Sequence, residues 1–356
     1  MAHPYLLERA GGPAKTGLDF CSTMKTRMRG TVLLCIVFLS VSCKKNDVRA
    51  QVEIPLFTMP STVVFDSLLS AYQVYQGSPS KLAPTATFEV LELSAPLFTD
   101  YAYKQRLLRL PEGAFLTRSA DGTFDFPDGT VLVKTFFYWV DERDTSLGKR
   151  LVETRLEIKE DSEWNLGTYV WNEAQTDASL KLDGGDLTLT WVDLMGRART
   201  NQYHVPTKNE CIACHQSSGS LSPIGPTLRN LNRLVVRGGL EVNQLSHLQS
   251  KEWLESFPLS AVPQIVDYQD TNAPLSSRAR SYLAMNCAHC HQPNAWDVPA
   301  QQGFDFRYHI PLEFTGILEG KDQIERNVTN GEMPFLGTTL QDEQGIALLT
   351  AYLNGL

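Results

Sequence analysis

Thr130-Val131-Leu132-Val133-Lys134-Thr135-Phe136-Phe137-Tyr138-Trp139-Val140 decides the fold class of the first half of the chain. The run is almost wholly β-branched and aromatic, side chains that fit a pleated and largely buried surface, and it predicts a strand. Pro127-Asp128-Gly129 just before it is a turn. Working outward, 152–158, 168–171 and 187–191 have the same texture. In the last of these Leu187, Leu189 and Trp191 alternate with Thr188 and Thr190, the period of a half-buried strand. Asp121-Gly122 and Asp183-Gly184-Gly185 punctuate the runs. Short strands at this spacing over 86–205 predict an all-β, sandwich-like domain. Phe136, Tyr138, Trp171 and Trp191 suit a ligand-binding face, but core packing explains them more cheaply.

Past residue 205 the pattern turns helical. Segments 227–237 and 241–257 read as helices, and Pro258, Pro263 and Pro274 mark a connection. Segment 277–286 carries Ala279, Tyr282 and Leu283 at helical spacing, and the C-terminus carries Ile346, Leu349, Leu353 and Leu356 on one face. Two mainly α domains are expected here, 206–273 and 274–356. Residues 43–85 read as a tether, with a short helix around Leu68, Leu69, Tyr72 and Val74.

Each helical domain contains one copy of a short motif: Cys211-Ile212-Ala213-Cys214-His215 and Cys287-Ala288-His289-Cys290-His291. Thiols three positions apart lie on one side of a helical turn and can add to the two vinyl groups of haem. The adjoining histidine then reaches the iron, so CxxCH is the attachment pattern of c-type haem. Two rival readings exist. Two CxxC pairs make a Cys₄ zinc site, although 72 residues separate them. A lone CxxC is a redox disulfide, but no thioredoxin-like βαβ pattern surrounds either pair. The histidine in fifth place of both motifs favours two covalently attached haem c groups, with His215 and His291 as iron ligands.

The flanks distinguish the two motifs. The second follows a helix and precedes Gly331-Glu332-Met333-Pro334 and an amphipathic terminal helix. This order resembles a class I cytochrome c domain, which implies Met333 as the distal iron ligand and a raised reduction potential. The first is followed by Pro223-Ile224-Gly225-Pro226, which resembles the loop whose carbonyl orients a proximal histidine. No Met lies between His215 and Met285. His247, Met195, His204 or an open iron remain for its distal side.

At the N-terminus, Lys25, Arg27 and Arg29 precede the apolar run 31–42, and Ser42-Cys43-Lys44-Lys45 follows it. This reads as a signal peptide with a lipoprotein-type cleavage box, which implies export to the periplasmic side and a lipid anchor at Cys43 in a bacterial membrane. Leu39 lies one place further from the cysteine than such boxes usually have it, and Met24 or Met28 is a more natural start than Met1. The 356 residues are 42% hydrophobic and 20% charged, which excludes global disorder, and no apolar run reaches the ~20 residues of a membrane-spanning helix. Net charge is −8. Cleavage before Cys43 removes five basic and two acidic residues and leaves −11. An acidic surface suits a redox partner with a basic docking face and argues against nucleic acid.

A wider resemblance rests on several blocks in order: Ser94-Ala95-Pro96-Leu97-Phe98-Thr99-Asp100-Tyr101-Ala102, Phe126 to Lys134, Glu153-Thr154-Arg155-Leu156, Tyr169-Val170-Trp171-Asn172 and Arg278-Ala279-Arg280-Ser281-Tyr282-Leu283. Together they resemble a bacterial family of dihaem c-type cytochromes with a β-rich N-terminal domain, over roughly 88–310. The resemblance implies two covalent haems in an exported protein and does not specify a substrate. The expectation is a multidomain electron-transfer protein, an all-β sandwich-like domain followed by mainly α cytochrome c-like domains. Its rival is a dihaem peroxidase-like oxidoreductase with one open iron.

Overall fold

The strand at 130–140 is the centre of one antiparallel sheet. The computed structural model describes residues 62–217, 219–293, 295 and 303–356. The export signal, Cys43 and the start of the expected tether lie outside them. Residues 62–85 belong to the folded body, where Leu69, Val74 and Leu82 are buried against the sheet.

In chain order the strands begin with β1 (Glu89–Leu91), β2 (Tyr103–Arg109) and a small hairpin of β3 (Thr117–Arg118) and β4 (Phe124–Asp125). Then come β5 (Val131–Trp139), β6 (Lys149–Glu160), β7 (Glu163–Trp171) and β8 (Ala178–Leu180). The sheet order is β1-β2-β5-β6-β7-β8, and β9 (Gly185–Val192) pairs separately with β10 (Ala198–Val205). Strand β5 is buried on both faces because Val131, Val133 and Phe137 face one core while Leu132, Phe136 and Tyr138 face two others. The aromatic residues weighed as a binding face are buried: Tyr138 packs on Trp191 with ring centroids 4.8 Å apart, and Trp171 donates to Thr154 Oγ1 at 3.0 Å.

The expected fold class is corrected in two respects. Among the described residues there is no second large sheet to make a sandwich. The reason lies in the pleat. Register places Arg106 opposite Lys134 and Lys134 opposite Arg155 on the face opposite the Leu69 core, and a charged row cannot be the floor of an apolar sandwich. That face is covered by α1 (Lys208–His215), whose Cys211 and Ile212 join the core of Leu108, Leu132 and Leu166.

Nor is the remainder mainly helical cytochrome-like structure. After α1 come β11 (Gln216–Ser217), β12 (Ser220–Leu221), α2 (Leu228–Leu231), β13 (Leu234–Arg237), β14 (Leu240–Asn243) and α3 (Gln244–Ser250). The helices expected at 227–237 and 241–257 are thus each broken by a strand. Gly238 and Gly239 both have positive φ, 57° and 81°, the two-residue turn that matches strand twist. Val235 and Val236 before it favour the extended chain. Only the last segment is helical: α4 (Leu275–Asn286), α5 (Ile317–Thr329) and α6 (Glu343–Leu353) share one core with Ala95 from the sheet side. The described residues form one compact unit. No helix of the described residues is long and apolar enough to cross a membrane.

Candidate functional site

The first motif is a short, well-capped helix. Thr207 Oγ1 accepts from Glu210 N at 3.2 Å, and Glu210 Oε2 accepts from Thr207 N at 2.7 Å, a reciprocal capping box that starts α1. Cys211 is buried beside Arg155 and Thr168, and burial pushes its thiol up to about 11. His215 ends the helix. Its Nδ1 lies 3.0 Å from the Ser222 carbonyl and 4.0 Å from Glu157 Oε2. The carbonyl fixes the proton on Nδ1 and leaves the Nε2 lone pair for a ligand. Burial, and next the Lys134 cation, hold the ring neutral by pushing its pKa down to about 3. The carbonyl that orients the ring is one residue before the Pro223-to-Pro226 loop rather than within it.

The second motif is built into the end of α4. Cys287 caps that helix, and Cys287 O accepts from Cys290 N at 3.1 Å and His291 N at 2.9 Å, one further tight turn. His291 packs on Phe306 and Phe304, with ring centroids 5.2 and 5.8 Å away. Cys287, Cys290, His291, Phe304, Val328 and Met333 line one apolar cavity. Met333 is placed by its own N–H, which donates to Asn327 O at 3.0 Å beyond the end of α5. The roof is the α4–α6 crossing. Gly345 sits so close to Tyr282 that a Cβ there would collide with the ring, and Asp342 Oδ1 caps α6 through Gly345 N at 2.9 Å. Burial pushes the Cys287 thiol up to about 12.

The two motifs meet. The ligand atoms of Cys214, His289 and Cys290 all lie within 4.8 Å of one another, and Cys214 also lines the cavity of the second motif. A hydrogen bond with Cys290, then burial, pushes the Cys214 thiol up. Cys211, Cys214, Cys287 and Cys290 are free of disulfides. The sequence raised this convergence only as the rival Cys₄ zinc reading and gave no sign of the part of His289, because nothing local signals that segments 72 residues apart touch.

His291 and Met333 are therefore brought to one cavity, while the other distal candidates are engaged elsewhere. His247 Nε2 faces Glu89 Oε1 at 3.2 Å, in a cluster with Arg237 and Lys251. His204 is held between Asp186 Oδ1 at 2.8 Å and Glu210 Oε2 at 3.1 Å. Met195 is 78% exposed in the β9–β10 turn. None of the three makes a polar contact with the first motif beyond the link of His204 to Glu210.

Compared with known proteins, the chain matches no family model, no curated protein and no solved structure.

Proposed function

We propose that the chain is an exported dihaem c-type cytochrome that passes electrons between a redox partner and the respiratory chain. Cys211 with Cys214, and Cys287 with Cys290, hold the two haem c groups. The observation that carries this reading is the convergence of the two CxxCH motifs, with the ligand atoms of Cys214 and Cys290 within 4.8 Å. Groups held at these sulfurs would lie close enough to exchange an electron inside the protein.

The residues present fit the group. The second motif opens into an apolar cavity that carries both a histidine and a thioether, and the first presents a half-buried neutral histidine whose other nitrogen is already committed to a carbonyl. When bound, haem supplies an iron that takes up and releases one electron at a time. The chain supplies the rest. Cysteine sulfurs fix the macrocycles, Ser222 O orients His215, and the Phe304–Phe306 wall excludes water. Met333 offers a soft neutral donor that stabilises the ferrous state. The ordered sequence blocks shared with the dihaem family support the same reading. So does the signal-like N-terminus, which suits export to the periplasmic side and a lipid anchor at Cys43. The acidic net charge suits a partner basic at its docking face.

A second reading has one observation behind it. Cys214, His289 and Cys290 are three ligands of a tetrahedral zinc site. It leaves Cys211, Cys287, His215 and His291 without a role. The enzyme variant of the haem reading, a peroxidase-like oxidoreductase with one open iron, draws on the engagement of His247 and Met195 away from the first motif. Absorption spectra of the oxidised and reduced protein, with and without carbon monoxide, test all three. The electron-transfer reading predicts sharp c-type bands in the reduced protein. Bands absent altogether favour zinc, and a spectrum half of which responds to carbon monoxide favours the enzyme.

A further inference from the structure

The charged row on the sheet is the largest feature that the reading above does not use. Alternate residues of a strand share a face, so register assembles Lys104 and Arg106 from β2, Lys134 from β5, and Glu153, Arg155 and Glu157 from β6 on one surface. All four cations are half-buried. Arg155 and Glu157 keep 21% and 13% of their side-chain surface accessible.

Like charges directly opposite each other destabilise a sheet, and buried charge without a partner costs several kcal/mol. Here cations outnumber carboxylates. Arg155 Nη2 pairs with Glu153 Oε1, which also accepts from Tyr203 OH at 2.6 Å. Lys104 Nζ is spent on Leu97 O at 3.0 Å. Asp100, near Lys104, is committed to Thr339 N and Leu340 N at 2.8 Å each. Arg106 Nε and Nη2 and Arg155 Nε are buried with no hydrogen-bond partner. Lys134 Nζ lies over the Phe136 ring at 5.1 Å, with Glu157 and Glu153 as its countercharges. Burial, then the neighbouring Arg106 and Arg155, drive Lys134 below its ordinary value. Tyr268, near Arg106, is held protonated by burial well above its usual range. An internal ion network accounts for Arg155 Nη2 with Glu153 and gives Lys134 a share of Glu157, but leaves Arg155 Nε and Arg106 Nε and Nη2 without partners.

The first motif lies on this row. Cys211 is beside Arg155 and Thr168, His215 Nδ1 is 4.0 Å from Glu157 Oε2, and the His215 ring feels Lys134, Arg155 and His289. We infer that Arg106, Lys134 and Arg155 hold the propionate carboxylates of a haem attached at the first motif. The inference rests on the proposed function and assigns the β sheet a role in it. Haem brings two carboxylates, the missing countercharge, and guanidinium forks match carboxylates in pairs of parallel hydrogen bonds.

The test uses holoprotein matured in a haem-attaching host with haem labelled with ¹³C at its propionate carboxylates, read by infrared spectroscopy. In wild type the labelled bands stay those of ionised carboxylate from about pH 8 down to about pH 4, where a solvated carboxylic acid begins to protonate. In R106Q and in K134Q a labelled band shifts. One of the two reduction potentials also falls, by about tenfold in the redox equilibrium, or 59 mV, because a cation near the iron had disfavoured the ferric form. R106K, which keeps the charge and loses the fork, restores the potential but not the band. Labelled bands that titrate like a solvated acid in wild type overturn the inference even when no variant matures. Two haems by mass with bands unmoved in both variants overturn it while leaving the dihaem reading intact. Bare polypeptide overturns both.

Discussion

The first CxxCH segment leans on a sheet, and the second is wrapped in helices. Around His215 stand a carbonyl, a buried carboxylate and a row of cations. Around His291 stand two phenylalanines and a methionine. One attachment chemistry has thus been given two dielectric settings. A charged wall acts on an iron through space, whereas a thioether acts through a bond. On the proposed reading, two haem irons held in these settings would differ in potential, and the approach of Cys214 to Cys290 would let an electron pass between them.

The comparison breaks first at Met333. M333A removes the thioether from the second cavity only. The potential of one haem falls by at least about tenfold in the redox equilibrium, 59 mV, and that haem alone gains a carbon monoxide complex. Redox titration with optical detection checks this, and equal shifts at both haems would show that the two settings are not independent. Next in size, G345A drives a methyl group into Tyr282 at the α4–α6 crossing. It destabilises the protein by about 1–3 kcal/mol in denaturant titration and broadens the bands of the second haem, not the first.

The matching change at the first site is T207A, which removes one half of the α1 capping box. The expected loss is about 0.5–2 kcal/mol, read as a lower denaturation midpoint and restored by T207S. The smallest effect belongs to Glu89, which joins β1 to α3 through His247, Arg237 and Lys251. Burial alone would raise its pKa, but Lys251, then His247 and Arg237, outweigh it and hold the carboxyl below 4.5. A depressed folded pKa contributes stability that is present above the unfolded value and lost as pH falls through the folded one. Unfolding below about pH 4.5 is therefore less steep in E89Q than in wild type, by calorimetry across that range.

Much of the second site was legible in the sequence because its signals are local. CxxCH is a covalent spacing, α4 and α6 show their apolar faces at helical period, and Met333 follows in order. Strand β5 was legible from composition, and the alternation of Leu187, Leu189 and Trp191 matches β9, where Leu189 and Trp191 are buried. The hairpin at Gly238-Gly239 was misread as helix, although two glycines after Val235-Val236 are a hairpin signal. Helix α5 went unread even though Ile317, Ile324 and Val328 fall on one buried face. The sandwich was expected because strand texture says nothing about what covers a sheet. Arg106, Lys134 and Arg155 held that information, one per strand, but only register turns them into a row. The contact of Cys214 with Cys290 is purely long-range, and no spacing rule reaches it.

The most direct measurement is peptide mass spectrometry of the protein matured in a host that attaches haem c. The account predicts that the peptides containing 211–215 and 287–291 each carry the mass of one haem. Unmodified cysteines in both peptides, with zinc retained by the native protein, would contradict it.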